Sequence, residues 1–236
     1  DLDGSLDAPI ASQRGPHEPT ALAFSPDGAT LAVTWLDGTV AAHDPRTLEP
    51  RGPLALLGGP PHAEGLEWDA GGRRCVVTVA AAGRPTGSRW LVTDASTGDT
   101  LRETRIEDVV GAGVIPPPPP GTISWNFVLG RFVGEHLVVA GVRNRTTLLA
   151  WDLREDRRPD ALEVPEEVAR FEEGLAYRGI SALAVRGDLL VAGTHGGLLL
   201  GFSLRERALR WWTQAHARQT LSVVVTPDGR RIVSAG

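Results

Sequence analysis

The 236-residue sequence predicts an all-β fold, a β-propeller of four-stranded antiparallel blades that is incomplete at both ends. Three observations lead there. A hairpin turn motif recurs at blade-length intervals, a short apolar strand follows each copy, and a second turn and third strand follow that.

The clearest copies of the motif are Ala21-Leu-Ala-Phe-Ser-Pro-Asp-Gly28 and Ser222-Val-Val-Val-Thr-Pro-Asp-Gly229. Each joins an apolar alternation to a turn in which Pro presets φ and Asp-Gly supplies the freedom a tight reversal demands. Weaker copies of the turn stand at Trp68-Asp-Ala-Gly-Gly72, Arg131-Phe-Val-Gly134 and Val185-Arg-Gly-Asp188. From Gly28 through Gly72, Gly134 and Gly187 to Gly229, the steps are 44, 62, 53 and 42 residues. The short steps match the roughly 40 to 45 residues of a four-stranded blade, and the long ones carry insertions.

In chain order, residues 1–14 are expected to hold the outer strand of a preceding blade, and residues 15–58 and 59–108 one blade each. Residues 109–178 form a blade with proline-rich and helical insertions, 179–214 another, and 215–236 the first two strands of a further blade. Second strands are expected at Leu31 to Trp35, Cys75 to Val79, His136 to Gly141, Leu189 to Thr194 and Ile232 to Ala235. Third strands are expected at Thr39 to Asp44, Trp90 to Asp94, Thr146 to Asp152 and Leu198 to Ser203. The five prolines Pro116 to Pro120 predict a stiff surface segment. Pro165-Glu-Glu-Val-Ala-Arg-Phe171 places Pro and acids where a helix start prefers them, which predicts one short helix on a loop. An open sheet face expects a neighbour, so further blades are expected outside these residues.

Composition narrows the function. With 42% hydrophobic and 22% charged residues the chain has ample material for a core. No apolar run approaches the roughly 18 to 20 residues of a membrane span, so no membrane partner is expected. A net charge of -5 offers no basic field for phosphate backbones, so nucleic acid is not expected either. Cys75, the single cysteine, lies in an apolar run and reads as a buried inert thiol. A lone cysteine forms no internal disulfide, which suits the cytoplasm, the compartment expected here. All 24 basic residues are Arg and Met is absent, suggesting a piece of a protein from a GC-rich bacterial genome.

No reactive constellation is legible. The histidines lack ligand spacing, and neither a Gly-rich phosphate loop nor a Gly-x-Ser-x-Gly elbow is present. Asp1-Leu-Asp-Gly-Ser-Leu-Asp7 spaces oxygens like the start of a calcium loop, yet its glycine is misplaced and Ser12 stands where a bidentate Glu is needed. The expectation is therefore no enzyme, no catalytic residue, no cofactor and no metal. Asp27 and Asp228, with Gly28 and Gly229, read as turn formers.

Ser25-Pro-Asp-Gly28 with Leu36-Asp-Gly-Thr-Val40, Trp151-Asp152, and the stretch from His216 to Gly229 resemble the WD-repeat family. The resemblance covers nearly the whole chain in degenerate form: the family's usual Trp-Asp appears as His43-Asp44, Thr93-Asp94, Trp151-Asp152 and Phe202-Ser203. It implies structural roles for His17, His62 and His216 upstream of hairpin turns. His17 and Asp37 fit two places of the family's His, Ser/Thr, Asp, Trp network, while Trp35 takes the Ser/Thr place. In the fourth blade Thr194 fits and Gly196 stands where Asp is expected. The family's role implies protein recognition or scaffolding, within a larger bacterial signalling or regulatory protein. Thr93-Asp-Ala-Ser-Thr-Gly-Asp-Thr-Leu101 and Ser203-Leu-Arg-Glu-Arg-Ala-Leu-Arg-Trp-Trp212 also resemble quinoprotein dehydrogenase propellers, which keeps a propeller oxidoreductase as the alternative.

Trp68, Trp125 and Trp151 fall on alternating strand positions and read as blade core. Trp35 and Leu36 instead end a second strand, at an edge that in the family leads to the face around the central channel. With Arg143, Arg145 and His195 at equivalent turns, they form the expected protein-binding patch, because Trp and Arg dominate interface hot spots.

Overall fold

Where the sequence repeats its turn, the chain repeats a meander. The computed structural model describes residues 17–56, 62–80, 88–115, 130–142, 146–155, 158–173 and 179–236. The first antiparallel sheet comprises β1 (Pro19–Phe24), β2 (Leu31–Trp35), β3 (Thr39–His43) and β4 (Pro50–Leu56). The second comprises β5 (His62–Trp68), β6 (Arg74–Ala80), β7 (Arg89–Asp94) and β8 (Thr100–Arg105), and the short helix α1 (Ile106–Gly111) follows it. The third comprises β9 (Arg131–Val133), β10 (Leu137–Val142), β11 (Thr147–Asp152) and β12 (Asp160–Leu162), followed by α2 (Glu166–Glu173). The fourth comprises β13 (Ile180–Arg186), β14 (Leu189–Thr194), β15 (Leu198–Ser203) and β16 (Ala208–Gln214). A two-stranded sheet of β17 (Ser222–Val225) and β18 (Ile232–Ala235) completes the described strands.

Two of the expected turns sit differently. Arg131, Phe132 and Val133 are strand, paired with Val139, Val138 and Leu137, and the reversal starts only at Gly134. Phe132 is buried in the core, and that burial draws its segment into the sheet. Likewise Val185 and Arg186 pair with Leu190 and Leu189, leaving Gly187 and Asp188 as a two-residue reversal. Gly28, Gly72, Gly134, Gly187 and Gly229 all have φ between +57° and +70°, the left-handed region that glycine enters without penalty. The first-blade and last-sheet turns are near copies: Asp27 Oδ1 accepts from Ser25 Oγ at 2.6 Å, and Asp228 Oδ1 from Thr226 Oγ1 at 2.5 Å.

The sheets stack face to face around an axis. β1 packs on β5, β5 meets β9, β9 meets β13 and β13 packs on β17, so the first strand of each sheet is innermost. The fourth strands lie at the rim. Because side chains alternate across a strand, each middle strand feeds two interfaces at once. On β6, Cys75, Val77 and Val79 enter the core shared with the first sheet, while Val76 enters the one shared with the third. On β10, Val138, Ala140 and Val142 face the second sheet and Val139 faces the fourth. Trp68 and Trp151 are core, as their alternation predicts. Each fully buried Val or Leu contributes about 1.5–3 kcal/mol.

Polar contacts reinforce these layers. Trp68 Nε1 donates to Ala23 O at 3.1 Å across the first interface, and Gly130 N to Thr78 Oγ1 at 3.0 Å across the second. Ser181 Oγ donates to Thr220 O at 2.7 Å between the fourth sheet and the last. Gly141 faces Ile180 so closely that an added Cβ would overlap that side chain. The outward faces of the first and last sheets are uncovered among the described residues, with Leu22, Phe24, Val224 and Val233 each more than half exposed.

Residues 1–14, Pro116 to Pro120, Trp125, Arg143 and Arg145 lie outside the described residues, and so do the expectations placed on them.

Candidate functional site

The turn between β2 and β3 holds Trp35, Leu36, Asp37 and Gly38. It is closed by Gly38 N donating to Trp35 O at 3.0 Å and fastened to the chain before β1 by Leu36 N donating to Glu18 O at 2.9 Å. Asp37 Oδ1 accepts from Thr39 N at 2.9 Å, and His17 Nε2 lies 3.3 Å from Asp37 Oδ2. The Thr39 amide is the main cause holding the Asp37 carboxyl below its ordinary range, with the nearby His17 a smaller one. With backbone and carboxylate fixed, Leu36 is left 48% exposed while Trp35 is half-buried, its ring edge-on to His43 at 6.4 Å.

The turn between β14 and β15 is built the same way. His195 N donates to Gly179 O at 2.9 Å and Gly197 N to Thr194 O at 3.1 Å, so His195 occupies the place of Leu36, and Thr194 that of Trp35. Thr194 is fully buried, and its Oγ1 accepts from Gly196 N and Leu198 N, both at 3.2 Å. It thereby replaces the turn carboxylate that Gly196 lacks. Trp35, Leu36 and His195 thus stand at equivalent ends of two sheets.

Polar partners differ in detail from the resemblance. In the first sheet the buried hydroxyl is that of Thr34, one residue before Trp35, and it meets Thr20 Oγ1 at 2.8 Å. In the last sheet His216 Nε2 meets Ser234 Oγ at 2.9 Å. Trp151 is buried, and Asp152 closes a turn by accepting from Arg154 N at 3.0 Å. The Arg154 guanidinium beside Asp152 brings its carboxyl down to about 2.

A cleft of about 540 Å³ lies between the first two sheets, lined in part by Arg51, Trp68, Arg73 and Asp94. Two of its charged groups, Arg51 and Asp94, serve turns. Arg51 binds Asp44 at 2.6 Å and Ala29 O at 2.8 Å, and Asp94 Oδ1 accepts from Ser96 and Thr97 amides. The Thr93 to Leu101 stretch, compared above with quinoprotein repeats, therefore uses its Asp94 as a turn former. Among the described residues no three His, Cys, Asp or Glu side chains cluster as metal ligands. No described helix is long and apolar enough to cross a membrane.

Sequence reasoning missed Arg131 and Glu67, which meet between innermost strands 64 residues apart in sequence. Neither stood out in the sequence, because β5 also carries His62 and Glu64 and Arg131 opens a strand of three residues.

No protein-family model and no curated protein matches the chain. Among solved structures it is similar to the β-propeller domain of Cps50 (Swd1) from Myceliophteria thermophila, with a TM-score of 0.70 and 21% sequence identity. The alignment covers 94% of this chain and 63% of that one, so the chain spans less than two thirds of the domain it matches. The described sheets and this likeness place the chain in the β-propeller fold.

Proposed function

We propose that this is a degenerate WD-repeat propeller of a bacterial, cytoplasmic signalling or regulatory protein, and that it binds another protein without catalysing a reaction. The observation that carries the reading is the shared construction of the turns at Trp35-Leu36 and His195. Each is locked by its own backbone bonds to the preceding chain, so side-chain substitutions there alter what is presented without altering the scaffold. A half-exposed Leu36 beside a Trp supplies the apolar anchor that a hot spot needs. Repeat spacing in the sequence would put Arg143 and Arg145, which lie outside the described residues, at the corresponding turn of the third blade.

The test is affinity capture from the source cell, quantified by mass spectrometry, with wild type against Trp35→Ala/Arg143→Ala after circular dichroism has matched their folds. Loss of a specific partner in the double variant supports the turn face as the binding site. Retention of the same partners at equal strength overturns it.

A further inference from the structure

A second surface lies on the rim rather than on the turn face. Helix α2 is anchored by the fully buried Val168, while Phe171 on the same helix is 41% exposed. Its ring lies 5.9 Å from that of Trp212 on β16, itself 37% exposed, and Trp212 Nε1 donates to Glu167 Oε1 at 3.3 Å. Beside the aromatic pair, between the start of α2 and β16, is a cleft of about 470 Å³. Val164, Pro165, Ala208 and Leu209 line it together with Glu163, Glu166 and Arg207.

The charges here are unbalanced in one direction. Arg170 is held by Glu166 at 2.5 Å, Arg207 by Asp160 at 3.2 Å, and Arg210 by Glu206. Every one of these cations is matched by an acid. Glu163 has no cationic partner among the described residues, and Glu167 meets only the neutral Trp212 indole. Two exposed aromatics therefore sit beside an apolar cleft whose uncompensated charge is negative.

We propose that the α2–β16 rim docks a segment of another protein that offers an apolar anchor side chain flanked by arginine or lysine. The aromatic pair and the cleft would take the anchor, since exposed large aromatics are the side chains that supply most interface energy. Glu163 and Glu167 would select cationic flanks and reject acidic ones. The surface is separate from the Trp35-Leu36 turn, so its failure leaves the reading of that turn untouched.

The test begins with a displayed library of random dodecapeptides selected on the full chain. Selected peptides are synthesised and titrated into 15N-labelled protein, with the Trp212 indole signal identified by Trp212→Phe. The expected result is peptides carrying an apolar residue among Arg or Lys, which shift that signal. Their affinity should fall at least about tenfold in Phe171→Ala and at least about threefold in Glu163→Gln, weaken with salt, and stay unchanged in Leu101→Ser. Selected peptides with no cationic bias, a stationary Trp212 signal at saturation, or equal affinity for Phe171→Ala would overturn the proposal. So would self-association abolished by Phe171→Ala in sedimentation, because the occupant would then be a second copy of the chain.

Discussion

Arg131 Nη1 donates to Glu67 Oε2 at 2.7 Å while its Nε donates to Leu183 O at 3.2 Å. One side chain on β9 thus grips β5 on one side and β13 on the other, tying three innermost strands together. Burial pushes the Glu67 carboxyl above its ordinary range, and Arg131 pulls it back down without cancelling the effect.

Replacing this arginine should cost stability in a pH-dependent way. A carboxyl whose folded pKa is raised favours the folded state at low pH and costs stability as pH rises through the folded value. Arg131→Met removes the opposing charge, so the folded value climbs further. Urea midpoints should show a loss of about 1–3 kcal/mol near pH 7 that shrinks towards about pH 4.5, with partial recovery on adding Glu67→Gln. An equal loss at both pH values would refute the coupling.

Glycines at the sheet interfaces and in the turns should fail for different reasons. Gly141→Ala drives a methyl into Ile180 and should cost about 1–3 kcal/mol through overpacking. Gly28→Ala meets open space but keeps a φ of +69°, and should cost about 1–2 kcal/mol through backbone strain alone. Replacing Ile180 by Gly, which removes the Cβ that the new methyl would strike, should rescue part of the first loss in a double-mutant cycle and none of the second.

Two turn carboxylates separate the causes of acid sensitivity. Asp44 and Asp152 both titrate at about 2, Asp44 chiefly through the Arg46 and Thr47 amides and Asp152 chiefly through the Arg154 side chain. Such depressed groups support the fold above the unfolded value of 3.8, and that support is lost as pH falls through about 2. Carboxyl carbon titrations should show Arg154→Gln raising the Asp152 midpoint clearly. Arg51→Gln should leave most of the Asp44 depression in place.

Cys75 should report unfolding. It is fully buried, and burial pushes its thiol up to about 12. A thiol reagent at about pH 8 should leave the native chain unmodified and react only as fast as the protein opens, so that modification accelerates with urea in step with loss of circular dichroism. Rapid labelling of folded protein would contradict the burial of Cys75 in the core shared by the first two sheets.

What the sequence made legible was local. Pro and Asp-Gly fix a reversal within four residues, so the turns at Gly28 and Gly229 and the strands Leu31–Trp35 and Ile232–Ala235 can be read from neighbours alone. The strand limits near Phe132 were obscured because its burial depends on distant packing. Helix α1 has Arg105 as its N-cap with no side-chain cap bond, so only the acids Glu107 and Asp108 in its first turn mark its start. At the turn face, the equivalence of Leu36 and His195 followed from repeat spacing. The Arg131–Glu67 and Phe171–Trp212 pairs join residues from different repeats and leave no trace in spacing.

The meander has a consequence for how the chain is made. Among the described residues, every hydrogen-bonded ladder joins strands adjacent in sequence. During translation, each sheet can therefore finish its pairing soon after its own residues leave the ribosome, before the next sheet exists. Such a chain can be laid down vectorially, each new sheet condensing on the exposed side of the last as it emerges.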